Sequence, residues 1–173
     1  MVPQAPERLL HDHHEVGDIF QQLLAALHNT DVAATHSRLD LLWARLAVHI
    51  RAEHLHLFPV MLNRVSEAQS LVENLREDHD FFMVELARAI GILRELPTQI
   101  NSAGDKAKLT AVGNTVRAVE KRLIAHNEVE EDQIYLWTST ALTETEQLEL
   151  ATRIDAELEK RPARFSAEAW ANQ

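Results

Sequence analysis

Apolar positions in this chain recur at steps of three and four residues in four separate stretches. The first runs Leu9, His13, Val16, Phe20, Leu23 and Leu27, and the second Leu39, Leu42, Leu46, His49, Glu53, His56 and Val60. The third runs Val72, Leu75, His79, Phe82, Leu86, Ala89 and Leu93, and the fourth Leu109, Val112, Val116, Val119, Leu123, His126, Glu130, Gln133 and Trp137. Steps averaging about 3.6 residues put such positions on one side of an α-helix, so each stretch predicts a long amphipathic helix. Alternation with period two is absent over any useful length, which leaves strands without support.

The stripes end where boundary residues fall. His28-Asn29-Thr30-Asp31 reads as a short turn, and Ser66-Glu67-Ala68-Gln69 has the form of a capping box. Leu96-Pro97 closes the third stretch, and Asn101-Ser102-Ala103-Gly104-Asp105 is a loop with Asp105 as the expected N-cap of the fourth. A second capping box, Thr143-Glu144-Thr145-Glu146, opens a fifth helix of mostly polar character, which Pro162 ends; a tail with Phe165 and Trp170 follows and is expected to pack back on the helices. Short connections between four long helices predict an all-α fold, an up-down-up-down antiparallel four-helix bundle with an additional C-terminal helix. The expected organisation is one domain over 1–173, with the bundle at about 7–138, the C-terminal helix at about 143–160 and the tail at 161–173.

The stripes are not purely apolar. Histidine interrupts every one, and His49 with Glu53, like His126 with Glu130, stands four residues apart and so shares the inward face with the leucines around it. Burying carboxylates and imidazoles without partners costs several kcal/mol each, enough to unfold an ordinary domain. A pair of divalent metal ions compensates directly, since carboxylates neutralise the charge and imidazoles complete the coordination. Chain lengths allow the histidines to meet. At about 1.5 Å per residue, roughly fifteen residues up from His13 and about eighteen down to His49 return the chain to the same height, and the same arithmetic joins His79 to His126 and Glu53 to His79. A lone histidine on an apolar face is ordinarily a core residue hydrogen-bonded to a carbonyl, but four in one layer with two glutamates favour metal; a buried polar network without metal is the alternative.

Composition narrows the chemistry. The 173 residues contain ten histidines and no cysteine, so disulfides, thiolate zinc sites, iron–sulfur clusters and cysteine nucleophiles are excluded. Any metal must be held by histidine and carboxylate. With 27 acidic against 17 basic residues the formal charge is −10 and no basic run appears, which disfavours nucleic acid as a partner. No apolar segment is long enough to span a membrane and the start lacks a signal-peptide pattern, so a soluble cytoplasmic protein is expected.

The order His13, then His49-x-x-x-Glu53, then His79, then His126-x-x-x-Glu130 resembles the hemerythrin-like (HHE) cation-binding domain over about residues 7–158. Asp12-His13, the run from His49 to Phe58-Pro59, and Glu130-Glu131 before Ile134-Tyr135 strengthen the likeness. The resemblance implies a bundle around a non-haem di-iron centre: two iron ions with a bridging oxygen species, manganese or zinc being able to replace iron in a purified or crystallised sample. By position it implies bridging carboxylates at Glu53 and Glu130, one metal on His13 and His49, and the other on His79 and His126.

The pattern departs from oxygen-carrying hemerythrins in two places. Those proteins carry two histidines four apart on the third helix, where His79 stands between Leu75 and Met83, and an aspartate five residues past the fourth-helix histidine, where this chain has Glu130 at four and Glu131 at five. The second metal is then one ligand short. His56, three residues past Glu53 on the same stripe, can reach towards it, or else stands behind the ligands or in the core. His14 is an alternative to His13, and Glu131 is either a solvated residue or a replacement for Glu130 as the bridge. His11, His28, His36 and His54 read as surface residues, and Trp43, Trp137 and Tyr135 as packing residues.

The implied function is binding of molecular oxygen or a related small diatomic or peroxide ligand, for storage, sensing or stress response, at the open position of the metal held by His13 and His49. Leu46, Val16, Phe82 and Leu123 are the expected apolar walls. The alternatives are a di-iron enzyme that decomposes peroxide or handles nitric oxide, and a metal-dependent redox sensor that signals to a protein partner. No catalytic acid–base pair is evident. The branch of the family that repairs iron centres carries cysteines in an added N-terminal module, and this chain has neither.

Overall fold

A computed structural model describes residues 5–160 of the chain, and within them every regular element is helical. Helix α1 spans Ala5–His28, α2 Val32–Ala52, α3 Phe58–Arg64, α4 Ala68–Arg94, α5 Ala103–Val129, α6 Tyr135–Ala141 and α7 Glu144–Leu158. Single π-helical turns, Glu53–Leu57 and Glu130–Ile134, join α2 to α3 and α5 to α6, so each pair forms one rod with a widened turn inside it. No described helix is long and apolar enough to cross a membrane. The expected tail with Phe165 and Trp170 lies outside the described residues.

The helices end for local reasons. Thr30 closes α1 at φ 58°, in the left-handed region, while Asp31 N–H reaches back to the carbonyl of Ala26 at 3.0 Å and Thr30 N–H to that of Leu27 at 3.1 Å, a Schellman arrangement. Asp31 then caps α2 through Oδ1, which accepts from Ala34 N–H at 2.9 Å. Two cap expectations are corrected. Helix α4 starts without a side-chain cap, because the Ser66 hydroxyl is engaged by the carboxylate of Glu67 at 2.8 Å. The cap of α5 is Ser102, whose Oγ accepts from Asp105 N–H at 3.0 Å, so Asp105 is the capped residue and not the cap. The Thr143 and Glu146 box does open α7.

Helix α1 packs on α2, α2 on α4, α4 on α5, and α5 back on α1. Helix α7 lies across α1 and α2. It is less polar than its composition suggests, since Leu150, Ala151, Ile154 and Leu158 are buried on one side. Two apolar clusters result. One joins Val16, Phe20 and Leu23 of α1 to Leu42, Leu46, Phe82, Leu86, Val116 and Val119. The other joins Leu9 to Val48, Leu57, Phe58, Met61, Val72, Leu75, Ile134 and the inner side of α7. The histidines and glutamates belong to neither cluster and occupy the layer between them. Apolar side chains on both sides bury that layer, and truncating one of the buried leucines costs about 2–5 kcal/mol.

Candidate metal centre

Each long rod delivers polar side chains to this layer. Helix α1 contributes His13, α2 His49, α4 His79 and α5 His126, while Glu53 and Glu130 open the two π turns. All six are buried, both glutamates completely. They form two groups of four potential ligands that share the carboxylates: His13, His49, Glu53 and Glu130 in the first, and Glu53, His79, His126 and Glu130 in the second.

The sharing is symmetrical. Glu53 directs Oε1 to His49 Nε2 at 3.2 Å and Oε2 to His79 Nε2 at 3.3 Å. Glu130 directs Oε1 to His126 Nε2 at 3.3 Å and Oε2 to His13 Nε2 at 3.4 Å. Each carboxylate therefore spans both groups. All four of these oxygens are buried and lack a hydrogen-bond partner, since the imidazoles approach without donor geometry. Nε2 of His79 also lies 3.0 Å from Nε2 of His126. Lone pairs that converge without pairing mark a point between them where a cation belongs, because burying such acceptors with nothing between them is costly. The residues thus fit two metal ions, each with two imidazoles and both carboxylates.

The outer nitrogens set the tautomers. His49 Nδ1 donates to Asp12 Oδ2 at 2.9 Å, His126 Nδ1 to Asp78 Oδ2 at 3.1 Å, and His13 Nδ1 to Glu131 Oε1 at 3.0 Å. His79 Nδ1 faces His54 Nε2 at 2.9 Å. A proton held on Nδ1 leaves the Nε2 lone pair directed inward, as metal ligation requires. The two aspartates are themselves held by arginines: Asp12 by Arg45, which also pairs with Glu15, and Asp78 by Arg122 Nε at 2.6 Å.

Electrostatics agree with a site built for positive charge. Burial works against charging His49 and His126, yet Glu53 with Asp12 raises the first well above the ordinary value, and Glu130 raises the second. Burial raises Glu53, with the neighbouring charge of Glu130 adding to it; Glu130, despite its own burial, is held well below the ordinary carboxylate range by His126 and His13. Burial lowers His79 to about 2. The Tyr135 hydroxyl lies 3.1 Å from His13 Nε2, and burial together with Glu130 and Glu53 pushes it well above its ordinary value, so it stays protonated.

Of the seven side chains read from the sequence as ligands, six meet in this layer. The expectation for His56 is corrected: its Nε2 lies 3.7 Å from Glu157 of α7 and in neither ligand group. The cause is the π turn, which widens the helix just past Glu53. A residue three beyond the glutamate then lags behind the inner face, and Leu57, four beyond, takes it. The same widening corrects His54, which is half-buried against His79 and not a surface residue. Glu131 is solvated on one side, but it also holds His13. Tyr135 packs and hydrogen-bonds at once, and His14 is exposed.

A signal for the missed residues exists in the sequence. Asp-His occurs at Asp12-His13 and again at Asp78-His79, and Arg-Leu-x-x-His-x-x-x-Glu occurs from Arg45 to Glu53 and again from Arg122 to Glu130. Each aspartate holds the histidine of the next helix instead of its neighbour, a pairing that only tertiary structure reveals.

On the side of the layer facing the first apolar cluster lies a cavity of about 10 Å³, bounded by all four histidines and by Val16, Leu46, Ile50, Phe82 and Leu123. That is room for about one water-sized molecule. A much larger cavity of about 430 Å³, lined by Trp43, Arg51 and Ile90, is open to solvent between α2 and α4 and includes none of the six clustered side chains, so chemistry and not volume marks the site.

No curated protein and no solved structure matches the chain. A family model does: the description is hemerythrin HHE cation binding domain, and the match covers residues 4–137. Because that match spans most of the chain and includes all six clustered side chains, the chain belongs to the hemerythrin HHE cation-binding family.

Proposed function

We propose that this chain is a non-haem di-iron protein that binds molecular oxygen or a related small ligand, in one up-down-up-down bundle with an accessory C-terminal helix and a cytoplasmic location. The observation that carries the reading is the pair of fully buried carboxylates, each spanning both ligand groups with its oxygens unpartnered. Iron bound there would supply reversible one-electron chemistry and open positions for an exogenous ligand. The protein's own residues do the rest. Glu53 and Glu130 fix the spacing of the two groups, and Asp12, Asp78 and Glu131 orient three imidazoles. Val16, Leu46, Phe82 and Leu123 wall the small cavity beside them and restrict it to about one small molecule. Metal analysis of protein purified from its own host, with visible spectra of the reduced protein before and after oxygen, tests the reading. Two irons per chain and an oxygen-dependent charge-transfer band are expected; their absence defeats it.

A second reading, peroxide decomposition or nitric-oxide handling, is favoured by Tyr135. Its protonated hydroxyl beside His13 is a buried donor that simple storage does not require. A turnover assay with peroxide, compared between the wild type and Tyr135→Phe, separates the two.

A further inference from the structure

The small cavity at the histidine layer does not stand alone. A second cavity of about 170 Å³ opens on the surface between α1 and α5, and the two share His13, Val16, Leu123 and Asn127 as common walls. The α1–α5 side is also the most sparsely packed of the four sides of the helix ring. At its mouth stands Gly17, exposed, where an added Cβ would meet nothing within 4 Å. The remaining surface is Phe20, Ile124 and the Gln21–Glu120 pair, which are 3.4 Å apart. At the inner end the buried Asn127 Oδ1 has no hydrogen-bond partner.

The opposite side of the ring makes the opening specific. Gly17 follows His13 by four residues, and the residue four past His79 is Met83, whose side chain packs against the first apolar cluster. Trp43 of α2 crosses over that position and donates Nε1–H to the Met83 carbonyl at 3.4 Å. The α2–α4 side carries the larger surface cavity, but that cavity shares no lining residue with the one at the histidine layer, and Met83 under Trp43 stands where the α1–α5 side has glycine.

We propose that small uncharged molecules of the size and polarity of dioxygen or nitric oxide reach the histidine layer between α1 and α5, over Gly17 and past the Val16–Leu123 pair. Val16, Phe20, Leu123 and Ile124 supply the apolar part of the walls, and the mouth carries a carboxylate with no lysine or arginine among its lining residues, so anions are disfavoured at entry. The constriction is the buried Val16–Leu123 pair, which walls both cavities. The identity of the traveller rests on the oxygen-binding reading above; the route rests on the two cavities.

The test is Gly17→Phe, which places a ring in the outer cavity, with Gly91→Phe on exposed α4 as the control, since a Cβ there also meets nothing within 4 Å. Nitric oxide association and dissociation are followed by stopped flow with the reduced, iron-loaded protein. A plug alters the path and not the end states, so both rate constants are expected to fall by the same factor, about tenfold, with Kd unchanged. Gly91→Phe should change neither. Unchanged rates in Gly17→Phe overturn the route. Ile124→Trp, at the same mouth, gives an independent plug should the first variant fold poorly. If the wild type takes up no nitric oxide, the functional reading suffers and the route is decided by xenon in the zinc-loaded protein. Xenon-dependent shifts of the Val16 and Leu123 methyl resonances that disappear in Gly17→Phe support the route, and their absence in the wild type overturns it.

Discussion

The two halves of the layer share one framework and differ at two positions that touch the histidines, besides Gly17 and Met83 farther out. Around the first half, His49 is held by Asp12 and Arg45, and His13 by Glu131, with the Tyr135 ring 5.7 Å from that of His13. Around the second, His126 is held by Asp78 and Arg122, and His79 by His54, with the Phe58 ring stacked 5.9 Å from that of His79. Glu131 and His54 each follow one of the two shared glutamates by one residue, and Tyr135 and Phe58 each follow it by five. The framework therefore repeats, and the chemistry does not. Where one half places a carboxylate and a phenol, the other places an imidazole and a plain ring, so the first half is richer in negative charge and carries the only one of the two rings with a proton to give. An imidazole hydrogen-bonded to a carboxylate is a stronger donor to metal than one bonded to a neutral ring. The first subsite is accordingly expected to stabilise the more oxidised state.

The comparison can be broken from its centre outward. Removing either shared carboxylate, Glu53→Ala or Glu130→Ala, should abolish both ions at once, with a loss of affinity of more than about 100-fold, because each spans the two halves. His13→Ala and His79→Ala should each weaken one site more than the other. Metal content by mass spectrometry or calorimetric titration distinguishes the two patterns. Next come the aspartates. Asp12→Asn and Asp78→Asn should each reduce metal affinity by about 10- to 100-fold, and by similar factors, since they occupy matching places.

Acid and base should act on the metal-free protein through different imidazoles, His79 on the acid side and His49 with His126 on the basic side. His79 is lowered to about 2 by burial, so its neutral form is the folded one and its stability contribution is present above the unfolded value of about 6.5. That contribution declines progressively as pH falls from there towards 2. His49 has the opposite sign: its raised folded value, secured by Glu53 and Asp12 against burial, gives stability that is full below about 6.5 and lost as pH rises through the folded value. A melting-temperature profile of the metal-free protein should fall on both sides. His79→Gln should flatten part of the acid limb and spare the basic one, the rest of the acid loss coming from Glu130, which His126 and His13 hold below the ordinary carboxylate range. Metal uptake, which displaces the His49 proton, should release protons and strengthen with pH.

The smallest effects should come from making the halves alike. His54→Glu, which copies Glu131, should narrow the separation between the two reduction steps in a redox titration, and Glu131→Gln should narrow it from the other direction. Tyr135→Phe copies Phe58 and should alter stability by no more than about 1.5 kcal/mol in thermal or urea unfolding, while removing the buried proton donor.

The helices were readable because burial imposes a period, and His13, His49, Glu53, His79, His126 and Glu130 stood out because each is a polar residue inside an apolar stripe. His56 was misplaced for an equally physical reason. A three-four step assumes an α-helix throughout, and Glu53–Leu57 is a π turn. Pro59 supplies a partial cause, since it has no N–H for the carbonyl four residues back, but Glu130–Ile134 widens without any proline. Both turns begin at a glutamate that belongs to both ligand groups, in keeping with the occurrence of such insertions at functional sites, where their cost is tolerated.

The sequence by itself determined the helical periods, the layer in which the histidines meet and the absence of thiol chemistry, because these follow from spacing and residue type. Tertiary structure decided which acid holds which imidazole. Asp12 reaches across to His49 and Asp78 to His126, contacts set by helix packing and invisible to spacing along one chain. It also decided that His54 and not His56 stands behind the second half, and that the cavity beside Gly17, unlike the one between α2 and α4, shares walls with the histidine layer. Periodicity specifies which face a residue presents; only the packed neighbours specify what that face meets.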